Sequence, residues 1–369
     1  MVEQNFEAAR LTVRLGAIGA NYGTFRRLAG PAVAAAVVKA DAYGMGVQRV
    51  APALIAAGCD TFFVARLEEG ITLRPLAPKA RIFVLDGAPA EALPALIAHN
   101  LIPVLNSLED IARWSGAASR IRRVLDGVLH LDTGMNRLGL SAEDLSELAA
   151  SWRTRLANLD LVLVMSHLAS ADDPGAAQNT AQLSRFRTAL AMLPPAPASL
   201  AASAGVLLGK PYLFDLVRPG IGLYGGHPQA GHGKNPMRTA ATLTARILQL
   251  RRIDKGESVG YAATYRAKRP SMLATMALGY ADGLPRSLSN KGMAAFAGSR
   301  VPMVGRISMD LLSLDVSAIP ANQIKVGGDV EFLGDAMPLD DVAGLAGTNA
   351  YEILTGLNPR LPRHYVEEA

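Results

Sequence analysis

At 369 residues, half of them hydrophobic, the chain can bury a large core and has room for two domains, one of them a barrel of typical length. Its formal charge of +5 comes from basic residues scattered from Arg10 to Arg363, without a dense run, which argues against nucleic-acid binding. Cys59 is the sole cysteine, so no internal disulfide can form, and its apolar setting, Ile55-Ala56-Ala57-Gly58-Cys59, predicts a packed thiol rather than a nucleophile.

Met1 to Arg14 contains Glu3 and Glu7 and lacks an apolar signal core. No later stretch stays apolar long enough to span a bilayer, so a soluble, cytoplasmic protein with no membrane partner is expected. From about Val33 to Gly226, short β-rich runs alternate with Ala- and Leu-rich segments that suit helices. The predicted strands are Val33 to Ala40, Thr61 to Ala65, Arg81 to Leu85, Ile102 to Leu105, Val128 to Asp132, Val162 to His167, Ser199 to Ser203 and Leu216 to Tyr224. Eight strands divided by helical sequence suit a closed (β/α)8 barrel better than an open sheet, which places a first α/β domain over residues 1–230.

Gly231-His232-Gly233-Lys234-Asn235-Pro236 reads as a turn-rich linker. Beyond it come strand-like stretches, Thr242 to Leu250, Met272 to Leu278 and Val301 to Val316, with turns at Lys255-Gly256, Ala281-Asp282-Gly283 and Gly327-Gly328. Helical sequence returns only at Leu339 to Leu345. A mainly β C-terminal domain over residues 236–369 is expected, with the first dozen residues of the chain packing against it.

A barrel carries its chemistry at the C-terminal ends of its strands, so polar residues closing apolar runs are the candidates. Lys39 ends Ala32-Val33-Ala34-Ala35-Ala36-Val37-Val38, where an ammonium is costly to desolvate; it is a candidate Schiff-base lysine, the alternative being a lysine that snorkels from a strand end. Asp132-Thr133-Gly134-Met135-Asn136-Arg137 follows the fifth run, His167 ends the sixth, Ser203 the seventh, and Arg218-Pro219-Gly220-Ile221-Gly222 lies in the last. Gly220, Gly222 and Gly225 match a dinucleotide-binding spacing, but that fingerprint needs an acid roughly 20 residues on, and none occurs between Asp215 and Asp254. The glycines fit better as exposed amides for a single phosphate, with the Ser203 hydroxyl beside them; for Gly225 and Gly226 a plain tight turn is the competing reading.

Val38-Lys39-Ala40-Asp41-Ala42-Tyr43-Gly44, Ser166-His167-Leu168-Ala169-Ser170-Ala171-Asp172 and Gly305-Arg306-Ile307-Ser308-Met309-Asp310 resemble segments of alanine racemases, the two-domain pyridoxal-phosphate enzymes, and matches recur in order down to Tyr351. The resemblance implies that Lys39 carries pyridoxal 5'-phosphate as a Schiff base. It also implies that Tyr43, Ser203, the amides of Gly220 and Ile221, and Tyr351 hold the phosphate, and that His167 lies against the ring. Arg218 would face the pyridine nitrogen; an arginine does not readily surrender a proton, so that nitrogen should stay largely unprotonated. A structural ion pair with an acid such as Asp215 is the alternative for Arg218.

Racemisation needs acid/base groups on opposite faces of the α-carbon. Lys39 can serve one face, and the resemblance implies Tyr261 for the other, activated by His167 bridging it to Arg218. It further implies a homodimer in which the β domain of one subunit completes the other's active site. Arg137 and the Met309 amide would hold the substrate carboxylate, and Tyr280 and Tyr351 would crowd the side-chain pocket toward a methyl group, hence alanine. No metal is implied.

Three departures stand out. His130 occupies the position at which many relatives have a carbamylated lysine, so a bound anion such as chloride, or a nearby carboxylate, is expected to orient Arg137 instead. Ala202 precedes Ser203 where asparagine is common, and Met45 replaces a frequent histidine. The expected function is interconversion of L- and D-alanine, supplying D-alanine for peptidoglycan. A broader racemase accepting lysine, arginine or serine is the second reading. A decarboxylase of related architecture is third, disfavoured by Arg218 and by the lack of a cysteine after Cys59, and a non-catalytic single-barrel pyridoxal-phosphate carrier is disfavoured by the residues after Gly226.

Overall fold

In the computed structural model, which describes residues 7–368, eight short parallel strands close on themselves. They run over residues 33–37, Thr61–Val64, Arg81–Val84, Ile102–Leu105, Leu125–His130, Leu159–Met165, Ala198–Ser199 and Leu216–Val217. Each pairs with the next, and the last returns to the first through Leu216 opposite Val33 and Val217 opposite Ala34. The seventh and eighth are joined by the Asp215 N–H to Ala198 carbonyl bond and the Ala202–Arg218 bridge. Thr61 to Val64 and Ile102 to Leu105 are buried at every position, as strands covered on both faces must be. The expected α/β barrel is therefore the observed one. Met1 to Phe6, part of the segment read as lacking a signal core, lie outside the described residues.

Helices between the strands start where the sequence offers caps. Ser107 accepts the Asp110 N–H at the head of Leu108–Arg120, and Ser141 and Asp144 exchange hydrogen bonds at the head of Ala142–Arg155. Three strands stop three or more residues before their expected ends, all on the face where polar side chains gather. The first strand stops at Val37 and residues Lys39–Tyr43 form a separate turn. The seventh stops at Ser199, and Ser203 instead opens the helix Ser203–Leu207. The eighth stops at Val217, because Pro219 has no N–H to continue a ladder and Gly220 breaks the extended backbone; Ile221–Tyr224 is a helical turn.

The second sheet is mainly antiparallel, in the order 271–276, 312–315, 299–304, 293–296, 329–333, 241–253, 9–14, 363–366. The long strand Ala241–Ile253 also pairs with Ser271–Met276, so most of this sheet curls closed around Leu243, Ala245, Ile247, Val330 and Phe332. Strand Ala9–Arg14 pairs antiparallel with Ala241–Ile253 and parallel with Arg363–Val366. The expected run Val301 to Val316 is two strands, parted by the loop that carries Arg306, Ser308, Met309 and Asp310. Cys59 is buried and donates to the Thr61 carbonyl at 3.3 Å; burial pushes its thiol up to about 11, so it is a packed group. Among the described residues no helix is long and apolar enough to cross a membrane.

Candidate active site

Lys39 emerges from the first strand into an unusual turn. Ala40, Asp41, Ala42 and Tyr43 have φ of +52, +53, +53 and +56°, a left-handed helical turn built without glycine. Left-handed backbone costs about 1–2 kcal/mol for each L-residue, so neighbours must hold it in place. The Ala42 N–H donates to the Val38 carbonyl, Gly44 N–H to Ala40 and Gly46 N–H to Asp41, at 2.8 to 2.9 Å. The Asp41 carboxylate accepts the Val47 N–H at 2.7 Å, and Arg363 from the C-terminal strand donates to the Gly44 carbonyl at 2.9 Å. Gly44 leaves no room for a side chain, since a Cβ there would lie 2.6 Å from the Leu354 carbonyl oxygen. Burial, then the charge of Arg137, lowers the Lys39 ammonium below its ordinary value, while Glu69 and Asp86 oppose that shift. The snorkelling alternative does not describe it, because Lys39 lines a cavity of about 560 Å³ at the barrel mouth.

Tyr43, Ser203, Gly220, Ile221 and Tyr351 line the same cavity. The Tyr43 ring stacks on Tyr224 with centroids 4.6 Å apart, and the Tyr224 hydroxyl donates to the Val37 carbonyl at 3.0 Å. Gly220 is dictated by closeness: a Cβ would lie 2.3 Å from the Tyr43 hydroxyl oxygen. Ser203 Oγ accepts the Gly220 N–H at 2.8 Å and the Gly222 N–H at 3.3 Å, so the hydroxyl and glycine amides form one buried unit. Ile221 opens a helical turn and Ser203 another, and first-turn N–H groups have no acceptor within their own turn. With its oxygen taken by those two amides, the Ser203 hydroxyl keeps its own O–H to donate, and a hydroxyl beside the starts of two helical turns on the cavity wall suits a phosphate.

Arg218 is 4% exposed and has no carboxylate partner among the described residues. It donates to Ser199 Oγ, to the Ser166 carbonyl at 2.6 Å and to His167 Nδ1 at 3.4 Å. Asp215, the candidate counter-ion, instead accepts the Ala198 N–H at 2.7 Å, so the ion-pair alternative fails. Burial pulls the guanidinium down to about 10. Burial and then Arg218 push His167 down to about 3, so its ring is neutral; because arginine only donates, Nδ1 is the acceptor and Nε2 carries the proton. His130 is likewise held neutral, down to about 4, by burial and then Arg218, and its Nδ1 lies 2.7 Å from Asn106 Oδ1.

Arg137 reaches the cavity from a loop that one carboxylate organises. Asp132 accepts the N–H groups of Gly134, Met135 and Asn136 at 2.9 to 3.1 Å; burial would raise its pKa, but these donors outweigh it and the net shift is downward. His130 and Arg137 both line the cavity, and no carboxylate does so among the described residues; the nearby carboxylate acting on His130 is that of Asp132. Gln182, fully buried on helix Ala177–Leu190, ties this loop to the next one. Its Nε2 donates to the His167 carbonyl at 2.9 Å and to Thr133 Oγ1 at 3.3 Å, and its Oε1 accepts the Ala169 N–H at 2.8 Å. Sequence reading missed Gln182 and Asn106, since a glutamine within a helix and an asparagine after a strand carry no distinguishing signal.

Three predicted residues lie elsewhere. Tyr261, Tyr280 and Met309 are 70%, 42% and 54% exposed, and none lines the barrel cavity. Tyr261 projects from a tight hairpin between Ser258–Val259 and Tyr265–Arg266 and borders a separate cavity with Arg306, Ser308 and Leu311. Tyr280 and Met309 lie beside it: the Tyr280 N–H donates to the Ser308 carbonyl at 3.1 Å and the Ala281 N–H to the Met309 carbonyl at 3.0 Å. Arg360 stiffens this face by bridging Asp282 at 2.6 Å and Asp310 at 2.7 Å. Of the second domain's predicted residues only Tyr351 lines the barrel cavity of its own chain.

Comparison with known proteins gives a consistent result. Residues 13–228 match the family model "Alanine racemase, N-terminal domain" and residues 240–365 match "Alanine racemase, C-terminal domain". An alanine racemase from Rhodospirillum rubrum is 48% identical over 367 residues, covering 99% of this chain and 98% of its own. One from Brucella suis is 46% identical, covering 96% and 93%. The crystal structure of alanine racemase from Bartonella henselae with covalently bound pyridoxal phosphate superposes with a TM-score of 0.94 at 39% identity, covering 98% of this chain and all of that one.

Proposed function

The chain belongs to the alanine racemase family, a pyridoxal-phosphate-dependent isomerase that interconverts L- and D-alanine, and on that premise we propose that Lys39 and the Tyr261 of a second copy are its two proton carriers. The observation that carries this reading is the ring of groups around one cavity: the Lys39 amine, the uncompensated Arg218 cation and the Ser203–Gly220 cradle. Those residues fit the cofactor. Lys39 would carry it, Tyr43, Ser203, Ile221 and Tyr351 would hold its phosphate with the Gly220 amide, His167 would lie against its ring and Arg218 would face the ring nitrogen. When bound, pyridoxal phosphate supplies an electron sink that acidifies the α C–H of an amino acid.

The rest is the protein's own work. Arg137 and the Met309 amide of the second copy fix the substrate carboxylate, and with it the direction of the α C–H bond. Lys39 Nζ takes or returns the proton on one face of Cα, and the Tyr261 hydroxyl on the other. The neutral His167, with its proton on Nε2, donates to the Tyr261 oxygen while Arg218 holds Nδ1, so the positive charge favouring phenolate belongs to the arginine. Tyr280 of the second copy and Tyr351 restrict the side chain to a methyl group. Lysine turnover comparable to that of alanine would overturn this pocket assignment. The charge that orients Arg137 would come from a bound anion such as chloride; unchanged activity without halide and bicarbonate would reject that.

The exposure of Tyr261, Tyr280 and Met309 outside their own chain's cavity supports a homodimer with shared sites. We place the domain boundary at the 231–236 turn, the strand Ala9–Arg14 belonging with the second domain. The setting proposed is cytoplasmic supply of D-alanine for peptidoglycan. The test mixes subunits: Lys39→Ala and Tyr261→Phe proteins, each inactive alone, should regain roughly a quarter of native activity when co-refolded, since half the dimers are mixed and each has one intact site. No recovery would mean that both groups act within one chain. Borohydride reduction followed by peptide mapping should place the cofactor on Lys39, and another labelled residue would end the reading.

A further inference from the structure

The left-handed turn after Lys39 has a first N–H, that of Ala40, which the turn cannot satisfy itself. Glu69 supplies the acceptor. Its Oε1 takes the Ala40 N–H at 2.6 Å, while Oε2 takes the Ala65 N–H at 2.7 Å and the Arg66 N–H at 3.1 Å. One carboxylate thus joins the residue after the lysine to the end of the neighbouring strand Thr61–Val64 and to the head of helix Leu67–Leu73. Charge-assisted bonds to backbone N–H groups are the strong kind, and three of them leave the carboxylate little freedom. The other end of the turn is held independently by Arg363 at the Gly44 carbonyl.

We propose that Glu69 is a positioning residue for Lys39: it fixes the backbone from which the lysine springs, and so keeps the amine aligned with one face of the substrate's α-carbon. The proposal rests on the assignment of Lys39 as the cofactor lysine. Proton transfer is steep in distance and direction, so a lysine whose backbone can relax toward ordinary dihedrals will meet the α-carbon less often in line. Glu69 does not line the cavity; besides its three backbone bonds it acts there only on Lys39, whose ammonium its charge favours. Its effect should therefore appear in the step that Lys39 serves and nowhere else.

The test compares Glu69→Gln and Glu69→Ala holoenzymes with the native one. Glutamine keeps one acceptor oxygen and the side-chain volume, so it carries the test if the alanine protein fails to fold. Borohydride should still label Lys39 in both. Amide hydrogen exchange in the peptide spanning residues 39–46 should accelerate on the order of 10-fold, and more in the alanine protein. With α-deuterated L- and D-alanine, the primary isotope effect should rise in one direction only, with kcat down on the order of 10- to 100-fold. A residue that merely caps its own helix would lower the melting temperature without moving the isotope effect in either direction, and that result overturns the proposal. If native Lys39 is not the residue borohydride labels, the assignment of the lysine fails first and takes this inference with it.

Discussion

Gly220→Ala tests the cradle at its tightest point. The added methyl would sit 2.3 Å from the Tyr43 hydroxyl oxygen, 3.1 Å from its Cζ and 3.6 Å from Val37 Cβ. Restoring an ordinary contact requires the hydroxyl to retreat by about 1 Å. It has nowhere easy to go, because the Tyr43 ring is stacked on the fully buried Tyr224, whose own hydroxyl is bonded to Val37, and the Tyr43 backbone lies in the left-handed turn. Overpacking of this kind costs about 1–3 kcal/mol, enough to lower the melting temperature by a few degrees. Losing the bond proposed between Tyr43 and the phosphate should weaken cofactor binding roughly 10- to 100-fold, the worth of a hydrogen bond to a charged group. Titration of apoenzyme with pyridoxal phosphate, followed by visible absorbance, reads the affinity. Removing the obstructing oxygen in the Gly220→Ala/Tyr43→Phe double variant should recover the melting temperature but not the affinity, a non-additive pair. Unchanged affinity and melting in Gly220→Ala would refute the claim that this contact sets the cradle.

Other outcomes follow from the same geometry. Tyr261→Phe should retain the cofactor and still exchange the α-hydrogen of one enantiomer with solvent deuterium, while inversion falls sharply; exchange lost equally from both enantiomers would deny the tyrosine a single face. Gln182→Leu would strand the His167 carbonyl and the Ala169 N–H, at about 1–3 kcal/mol for each buried unpaired group, and should raise the KM for alanine as the Arg137 loop loosens. A KM and a denaturation midpoint both unchanged would show that the two loops do not depend on it. Because His130 is held neutral to about pH 4 in the fold but titrates at 6.5 when unfolded, the unfolded chain binds more protons between those values. Stability should thus be fully present above pH 6.5 and fall by about 1.4 kcal/mol for each unit below it, with His167 acting in the same direction. Urea midpoints at pH 7 and 5 check this, and a His130→Asn protein with an equally steep fall would refute the assignment.

How much of this could be read from sequence varies with the kind of signal. The barrel was legible because strands such as Phe62-Phe63-Val64 are apolar on both faces, and because Lys39, His167, Ser203 and Arg218 close apolar runs. The left-handed turn was not: Ala40-Asp41-Ala42 favours right-handed structure locally, and what reverses it is Glu69, Arg363 and Gly44, spread over more than three hundred residues. Ser203 read as a strand end because it closes the short run from Ser199, and the helix it opens is only five residues long, too brief for a helical period to show in sequence. Tyr261 stands in a hairpin like any exposed tyrosine, and only the family resemblance singled it out. That Arg218 meets no carboxylate among the described residues is something no local pattern can display, since its partners are carbonyls, a hydroxyl and the His167 ring at the ends of two neighbouring strands.

The strand Ala9–Arg14 belongs to a sheet whose other members are made much later, and this has a cost during synthesis. At roughly 5–20 residues per second, its first partner, Ala241–Ile253, follows by about 10 to 50 seconds, and Arg363–Val366 later still. For that interval a strand with Leu11 and Val13 on one face waits at the ribosome exit with both edges bare, a natural client for a holding chaperone, while the barrel it precedes can already close behind it.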